Sequence, residues 1–146
     1  MMRHASHLAS RLALLGLMVA SHGLLAEEVA VVSAKSTITR LTKTQVTNIF
    51  LGKTTRFPDG SAAVPIDQSE GTLARDEFYT RIAGKSAAQM KAYWSKIIFT
   101  GRGQPPKSVP SSGEAKRLIE ANLNAIGYIE PKFVDDAVRV VVVTQE

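Results

Sequence analysis

Short apolar, β-branched runs alternate with segments of helical periodicity, and this alternation constrains the fold more than any other feature of the sequence. The runs VAVVS (Val29–Ser33), AAVPI (62–66), AIGYI (Ala125–Ile129) and VRVVVVT (138–144) predict about four strands. Strands that alternate with helices favour a mixed, mostly parallel sheet with helices on both faces. We therefore predict an α/β fold that forms a single three-layer domain.

Capping residues and apolar spacing predict the intervening helices. Thr42 with Gln45 has the pattern of a capping box. The predicted helices span residues 42–52, 69–84, 86–98 and 112–122, and Ser69 is the predicted N-cap of the second. Apolar spacing predicts that the second helix buries Leu73, Phe78 and Ile82. The predicted buried face of the third helix consists of Met90, Tyr93, Trp94, Ile97 and Ile98. Residues 100–113 are predicted to be a loop because they contain three prolines and three glycines. The valines of 140–143 predict a strand buried on both faces.

Residues 1–26 have the pattern of a secretory signal peptide. Arg3 and Arg11 precede and flank a short apolar run, and Ala26 stands before two glutamates. The run is shorter than the roughly 20 apolar residues that span a bilayer. We predict that this signal peptide is cleaved after Ala26 and that residues 27–146 are exported to the periplasm as the working domain.

The residue types left after this cleavage exclude several functions. All three histidines lie in residues 1–26, and the chain contains no cysteine. The working domain therefore lacks the base of a Ser-His-Asp triad, a thiol nucleophile, the ligands of a Cys/His zinc site and a cysteine for a lipid anchor. We predict a protein that is not an enzyme and that holds neither a metal nor another cofactor. A carboxylate-based hydrolase is the enzymatic alternative, and only scattered acids favour it.

The charge distribution indicates which class of partner the chain binds. Removal of Arg3 and Arg11 lowers the formal net charge from +5 to +3. The remaining basic residues are scattered, whereas nucleic-acid-binding proteins gather them on one face or helix. We therefore expect no nucleic-acid partner, and the mild positive excess favours a small anion.

Three segments resemble the substrate-binding protein of bacterial phosphate ABC transporters, a type II periplasmic binding protein. They are LTKTQVTNIFLGK (41–53), VPIDQSEGT (64–72) and NAIGYI (124–129), in the order and at the spacing of that family. The family's proteins have two lobes with the ligand between them, and 120 residues are enough for one lobe. The resemblance therefore implies a periplasmic-binding-protein-like domain equivalent to one lobe.

The resemblance places an oxyanion site in the second of these segments. In the family, a Ser-Gly-Thr turn holds phosphate at a helix N-terminus, where amide groups and the helix dipole favour an anion. Gly71 and Thr72 match that turn, whereas Glu70 replaces its serine and Ile66 replaces an arginine. The candidate ligand-binding residues are Ser69, Glu70, Gly71, Thr72 and Arg75, the last as a replacement cation. An ordinary helix cap is the alternative.

Two functions follow from this reading. The first is a periplasmic solute-binding protein for inorganic phosphate or a similar oxyanion, linked to uptake or sensing. The second is an interaction or accessory module that binds no ligand and serves a membrane transporter, a porin or a sensor kinase; Ile66, Glu70 and the missing lobe favour it. The sequence leaves open which anion is bound, which partner is used, and whether a second chain, as in a homodimer, completes the site.

Overall fold

The structure, a computed structural model, describes residues 28–145, so the predicted signal peptide lies outside the described residues. The strands are β1 (Val29–Ser33), β2 (Arg40–Thr42), β3 (Val64–Gln68), β4 (Lys107–Val109), β5 (Ala125–Ile129), β6 (Val138–Val140) and β7 (Val142–Thr144). The helices are α1 (Lys43–Phe50), α2 (Leu73–Ala83), α3 (Ala87–Phe99) and α4 (Ser112–Ala121), with a short 3₁₀ turn at Pro131–Phe133. Within residues 28–145, every helix is too short or too polar to span a membrane.

Five strands form the central sheet, in the order β4-β3-β5-β1-β6. Strand β3 pairs in parallel with β4 and β5, whereas β1 runs antiparallel to β5 and β6. Four of these five strands therefore point the same way, and the prediction of a mixed, mostly parallel sheet is confirmed. Strands β2 and β7 form a separate parallel pair.

Helices cover both faces of the central sheet, which confirms the three predicted layers. Alternate side chains of β5 point to opposite faces. Ile126 and Tyr128 pack into a core with α1, α2 and α3, whereas Ala125 and Ile129 pack into a second core with α4. All five residues of β5 are buried as a result, as expected of a strand with helices on both sides.

Local capping signals in the sequence are confirmed at several helix ends. The Thr42 hydroxyl accepts the Gln45 amide, and the Gln45 side chain accepts the Thr42 amide, which completes the capping box of α1. Ser86 caps α3 in the same way. Gly84 ends α2 in the left-handed conformation, with φ of 62°.

The predicted apolar faces of α2 and α3 are partly wrong. Phe78 and Ile82 are buried on α2, and Met90 and Trp94 are buried on α3, so Trp94 is confirmed as a core residue. Leu73 and Ile98 were assigned to these faces by spacing but are 72% and 56% exposed. Leu73 is the first residue of α2, and Ile98 is the last but one of α3.

The valines of 140–143 do not form one strand buried on both faces, and that prediction is wrong. The Val141 amide donates to Ala30 of the central sheet, whereas the Val142 amide donates to Thr39 beside β2. The chain thus passes from one sheet to the other at Val141, which is buried. Val140 and Val142 on either side are 39% and 51% exposed.

Two short strands are absent from the sequence prediction, and one predicted strand is displaced. The segment predicted as a loop, 100–113, contains β4, which pairs with residues 66–68 of β3, and β2 pairs with β7. Strands of three residues depend on their neighbours more than on their own composition, so the composition does not indicate them. The strand predicted at 62–66 lies at Val64–Gln68, two residues nearer to the candidate site.

Candidate functional site

The candidate site lies where β3 ends and α2 begins. The parallel strands β4, β3 and β5 all end at this edge of the sheet. The chain leaves β3 through α2 and α3 on one face, reaches β4, and returns through α4 on the other face to β5. In open α/β sheets, such a reversal of strand order at the carboxyl ends of the strands is where ligands bind.

Residues 69–72 form a tight turn that is attached to β4. The Thr72 amide donates to the Ser69 carbonyl over 3.2 Å, and Gly71 has φ of +88°, which glycine adopts without strain. The Ser69 amide and hydroxyl both donate to the Val109 carbonyl, over 2.9 Å and 3.3 Å. The polar groups of Ser69 are therefore engaged within the protein.

Thr72 caps α2, and the prediction of Ser69 as the cap is wrong. The Thr72 hydroxyl accepts the Arg75 amide over 3.4 Å and donates to the Ser69 carbonyl over 2.9 Å. Ser69 cannot take this place because its side chain is bonded to β4, and the helix begins at Leu73. The amides of Leu73 and Ala74, in the first turn, have no acceptor inside the helix.

Glu70 lies at the surface of the turn. Its carboxylate is 3.8 Å from the Lys91 ammonium of α3, and the two side chains are 63% and 72% exposed. Exposed ion pairs of this kind contribute little, about 0–1 kcal/mol. Glu70 thus adds negative charge at the rim of the site without being held inside it.

Arg75, the candidate replacement cation, is buried and already paired. Its Nε atom is 3.6 Å from Oδ2 of Asp67, and its guanidinium lies 5.2 Å from the centre of the Tyr79 ring. The side chain is only 10% exposed. Asp67 therefore neutralises the positive charge that the sequence assigns to the oxyanion site.

Asp67, which the sequence does not single out, is the most highly bonded side chain of this region. The Tyr79 hydroxyl donates to its Oδ2 over 2.7 Å, and the Tyr128 hydroxyl donates to its Oδ1. The Gln68 amide donates to Oδ1 over 2.8 Å. Burial raises the pKa of Tyr79 and of Tyr128, and the charge of Asp67 raises each pKa further, so both phenols stay protonated donors.

A cavity of about 290 Å³ opens beside this cluster. Among the residues that line the cavity, the negative charges of Asp67 and Glu70 balance the positive charges of Arg75 and Lys91. The rest of the lining is Gln68, the hydroxyl residues Ser95 and Ser108, and the apolar wall of Met90, Trp94, Ile98, Pro105 and Pro106. The structure thus brings two of the candidate residues, Glu70 and Arg75, to one cavity. Asp67 and Gln68 line it too, and the only signal for them in the sequence is that the apolar run of β3 ends in two polar residues.

Comparison of the fold with solved structures finds phosphate-transport proteins. A phosphate ABC transporter substrate-binding protein from Clostridium perfringens, solved with bound phosphate, is 26% identical over 79% of this chain, with a TM-score of 0.61. An ABC-type phosphate transport receptor from Vibrio cholerae is 19% identical over 79% of the chain, with a TM-score of 0.61, and PstS from Borrelia burgdorferi is 14% identical over 81%, with a TM-score of 0.62. No family model matches the chain, and no curated protein is similar to it in sequence.

The chain spans 44%, 45% and 47% of the length of these three proteins. The chain has a mixed sheet with helices on both its faces, which is the architecture that the family resemblance implies. The resemblance indicated by the three sequence segments is therefore confirmed: the chain is similar to a single lobe of the substrate-binding proteins of phosphate ABC transporters.

Proposed function

We propose that this chain is a non-catalytic solute-binding protein of the periplasm that binds phosphate or a similar oxyanion and serves uptake or sensing. The observation that carries the proposal is the junction of β3, the 69–72 turn and α2. This junction lies at the carboxyl ends of parallel strands, in a fold similar to that of a transport protein solved with bound phosphate. The same position is the ligand site of many open α/β sheets.

The groups that we propose as donors to an oxyanion there are the amides of Leu73 and Ala74 and the side chain of Lys91. The two amides belong to the first turn of an 11-residue helix, whose dipole favours negative charge. Lys91 is mostly exposed and lies beside the turn. Ser108, which lines the 290 Å³ cavity together with Lys91, offers a hydroxyl.

A site on this surface is open to water on one side, and affinity is therefore expected to be modest. Fully enclosed anions are held more tightly because each of their oxygens receives a directed donor. We propose that the second wall comes from a membrane transporter, from a sensor or from a second copy of the chain. Binding of phosphate is expected to tighten when that wall is present.

The second candidate function is an interaction module that binds no anion. The ion pair of Arg75 with Asp67 favours it, because the buried cation of the site already has a partner. A transporter, a porin or a sensor kinase is the proposed partner in that case.

Substitution of Glu70 tests oxyanion binding directly. Glu70→Ser removes a negative charge from the rim of the site and releases Lys91 from its ion pair. A like charge about 5 Å away costs several tenths of a kcal/mol in water, so we expect phosphate to bind roughly threefold more tightly. Isothermal titration calorimetry of phosphate into both proteins, at low and at high salt, measures the change, which should be larger at low salt.

Asp136→Ser is the matched control. It removes the same charge from an exposed site just before β6, which is three strands away from β3 in the sheet. Its phosphate affinity should equal that of the unmodified chain. If phosphate gives no binding heat and no rise in melting temperature with either protein, the oxyanion proposal fails and the interaction module takes its place.

A further inference from the structure

The buried carboxylate of Asp67 is surrounded by donors from two strands and a helix. It receives the Gln68 amide from β3, the Tyr128 hydroxyl from β5 and the Tyr79 hydroxyl from α2, and Arg75 of α2 adds the positive charge. Asp67 itself is 3% exposed. Each carboxylate oxygen thus has two partners among the described residues.

This set of donors is the set that proteins use to bind an external oxyanion. A backbone amide, two hydroxyls and a guanidinium make charge-assisted hydrogen bonds to carboxylates and phosphates. Here the anion comes from the chain itself. Burial also keeps both phenols protonated, since it raises the pKa of Tyr79 and of Tyr128.

We propose that Tyr79, Tyr128, Arg75 and the Gln68 amide form a second oxyanion-binding site, which the side chain of Asp67 fills as an internal ligand. The external ligand class is a small carboxylate, of which formate and acetate are the simplest members. This site is distinct from the Leu73 and Ala74 amides of the proposed phosphate site. The proposal of this second site therefore does not depend on whether the chain binds phosphate.

If the Asp67 carboxylate is removed, the positive charge of Arg75 and the hydrogen-bond donors of the site should be left without an anion. Arg75 is buried, and a buried cation without a partner is strongly destabilising. Asp67 and Arg75 both line the 290 Å³ cavity, which gives a small anion a route to the vacated position. In the unmodified chain the internal carboxylate occupies that position and excludes such an anion.

Chemical rescue of Asp67→Ala tests this proposal. The melting temperature of the variant is measured in sodium formate and in sodium chloride of equal ionic strength. A ligand that binds only the folded state stabilises it, so formate at about 100 mM should raise the melting temperature of Asp67→Ala by about 5 °C relative to chloride. The unmodified chain should show no difference between the two salts.

Three further variants make the result specific. Asp59→Ala removes an exposed carboxylate that, among residues 28–145, accepts hydrogen bonds from Ser61 and Thr37, and it should show no formate effect. Asp67→Asn fills the space without the charge, and Asp67→Ala with Arg75→Leu removes the cation, so neither should respond. A response of these variants equal to that of Asp67→Ala would overturn the proposal.

The proposal can be tested even if Asp67→Ala does not fold in sodium chloride. If the variant is unfolded in chloride, the proposal requires formate to restore the native circular dichroism spectrum. A variant that remains unfolded in formate, or that folds and gains no more from formate than from chloride, would overturn the assignment of an oxyanion site.

Discussion

Gly127 lies in the middle of β5, where Ile119 of α4 packs against the sheet. A Cβ atom at this position would be 2.6 Å from Cδ1 of Ile119 and 3.4 Å from the Ile66 carbonyl oxygen. An alanine at this position would therefore force the buried side chain of Ile119 to shift. The glycine of the IGY motif is explained by packing, which makes it evidence for the fold and not for a ligand.

Gly127→Ala is accordingly expected to destabilise the protein by about 1–3 kcal/mol, because it overpacks the core. Urea denaturation measures the free energy of unfolding. Ile119→Val removes the Cδ1 atom that clashes, so the double variant should lose less stability than the sum of the two single changes.

Gly103→Ala is the control for the loss of a glycine. The nearest atom to its Cβ would be 3.7 Å away, which is an ordinary contact. Its effect on stability should be small. A Gly127→Ala variant as stable as Gly103→Ala would mean that α4 moves freely away from β5, contrary to the packing described above.

At the scale of the element, the start of α2 is determined by one hydroxyl group. Thr72 accepts the Arg75 amide and returns a hydrogen bond to Ser69, which joins the helix to the turn. Since the hydroxyl is used within the chain, Thr72 contributes first to the stability of α2. Any contribution to anion binding comes through the position of the helix amides.

We expect Thr72→Val to lower the free energy of unfolding by about 1 kcal/mol, the usual cost of losing a helix cap. Thr72→Ser keeps the hydroxyl and should be close to the unmodified chain. Thermal and urea denaturation of both variants make the comparison. Equal stabilities of Thr72→Val and Thr72→Ser would show that the cap contributes nothing.

At the scale of the whole molecule, the described domain spans less than half the length of the transport proteins it resembles. The described residues form the five-stranded sheet β4-β3-β5-β1-β6, and helices cover both of its faces. One lobe of the architecture thus has its own two hydrophobic cores, which is the condition for a domain to fold as a unit.

Export of this domain is a prediction from residues 1–26. We expect cleavage after Ala26 and recovery in the soluble periplasmic fraction, which mass spectrometry of the purified protein and cell fractionation measure. Leu17→Arg, which interrupts the apolar run, should block export and leave the signal peptide uncleaved. An intact N-terminus in the unmodified protein, or tight association with the membrane, would contradict the prediction.

The features that could be predicted are those whose interactions are local in sequence. Thr42 was predicted as a cap because a cap bonds to an amide three residues away. The start of a helix at Ser86 was also predicted, and there the structure adds a second capping box. Strands β1 and β5 were predicted with the bounds observed, because a strand buried on both faces is apolar throughout. The short strand β4 escaped prediction because only its pairing with β3 makes it a strand.

The sequence by itself therefore determined the α/β class, the principal helices, the capping box of α1, and the junction at which a ligand is proposed. Only the tertiary structure decided that Thr72 and not Ser69 caps α2, because the Ser69 hydroxyl bonds to Val109 of β4. It also decided that the valine run divides between two sheets at Val141 and that Asp67 takes the charge of Arg75. The partners of Asp67 include Tyr79, 12 residues along the chain, and Tyr128, 61 residues along it. Contacts over such separations leave no periodic trace in a single sequence, because they form only when the sheet and the helices have packed together.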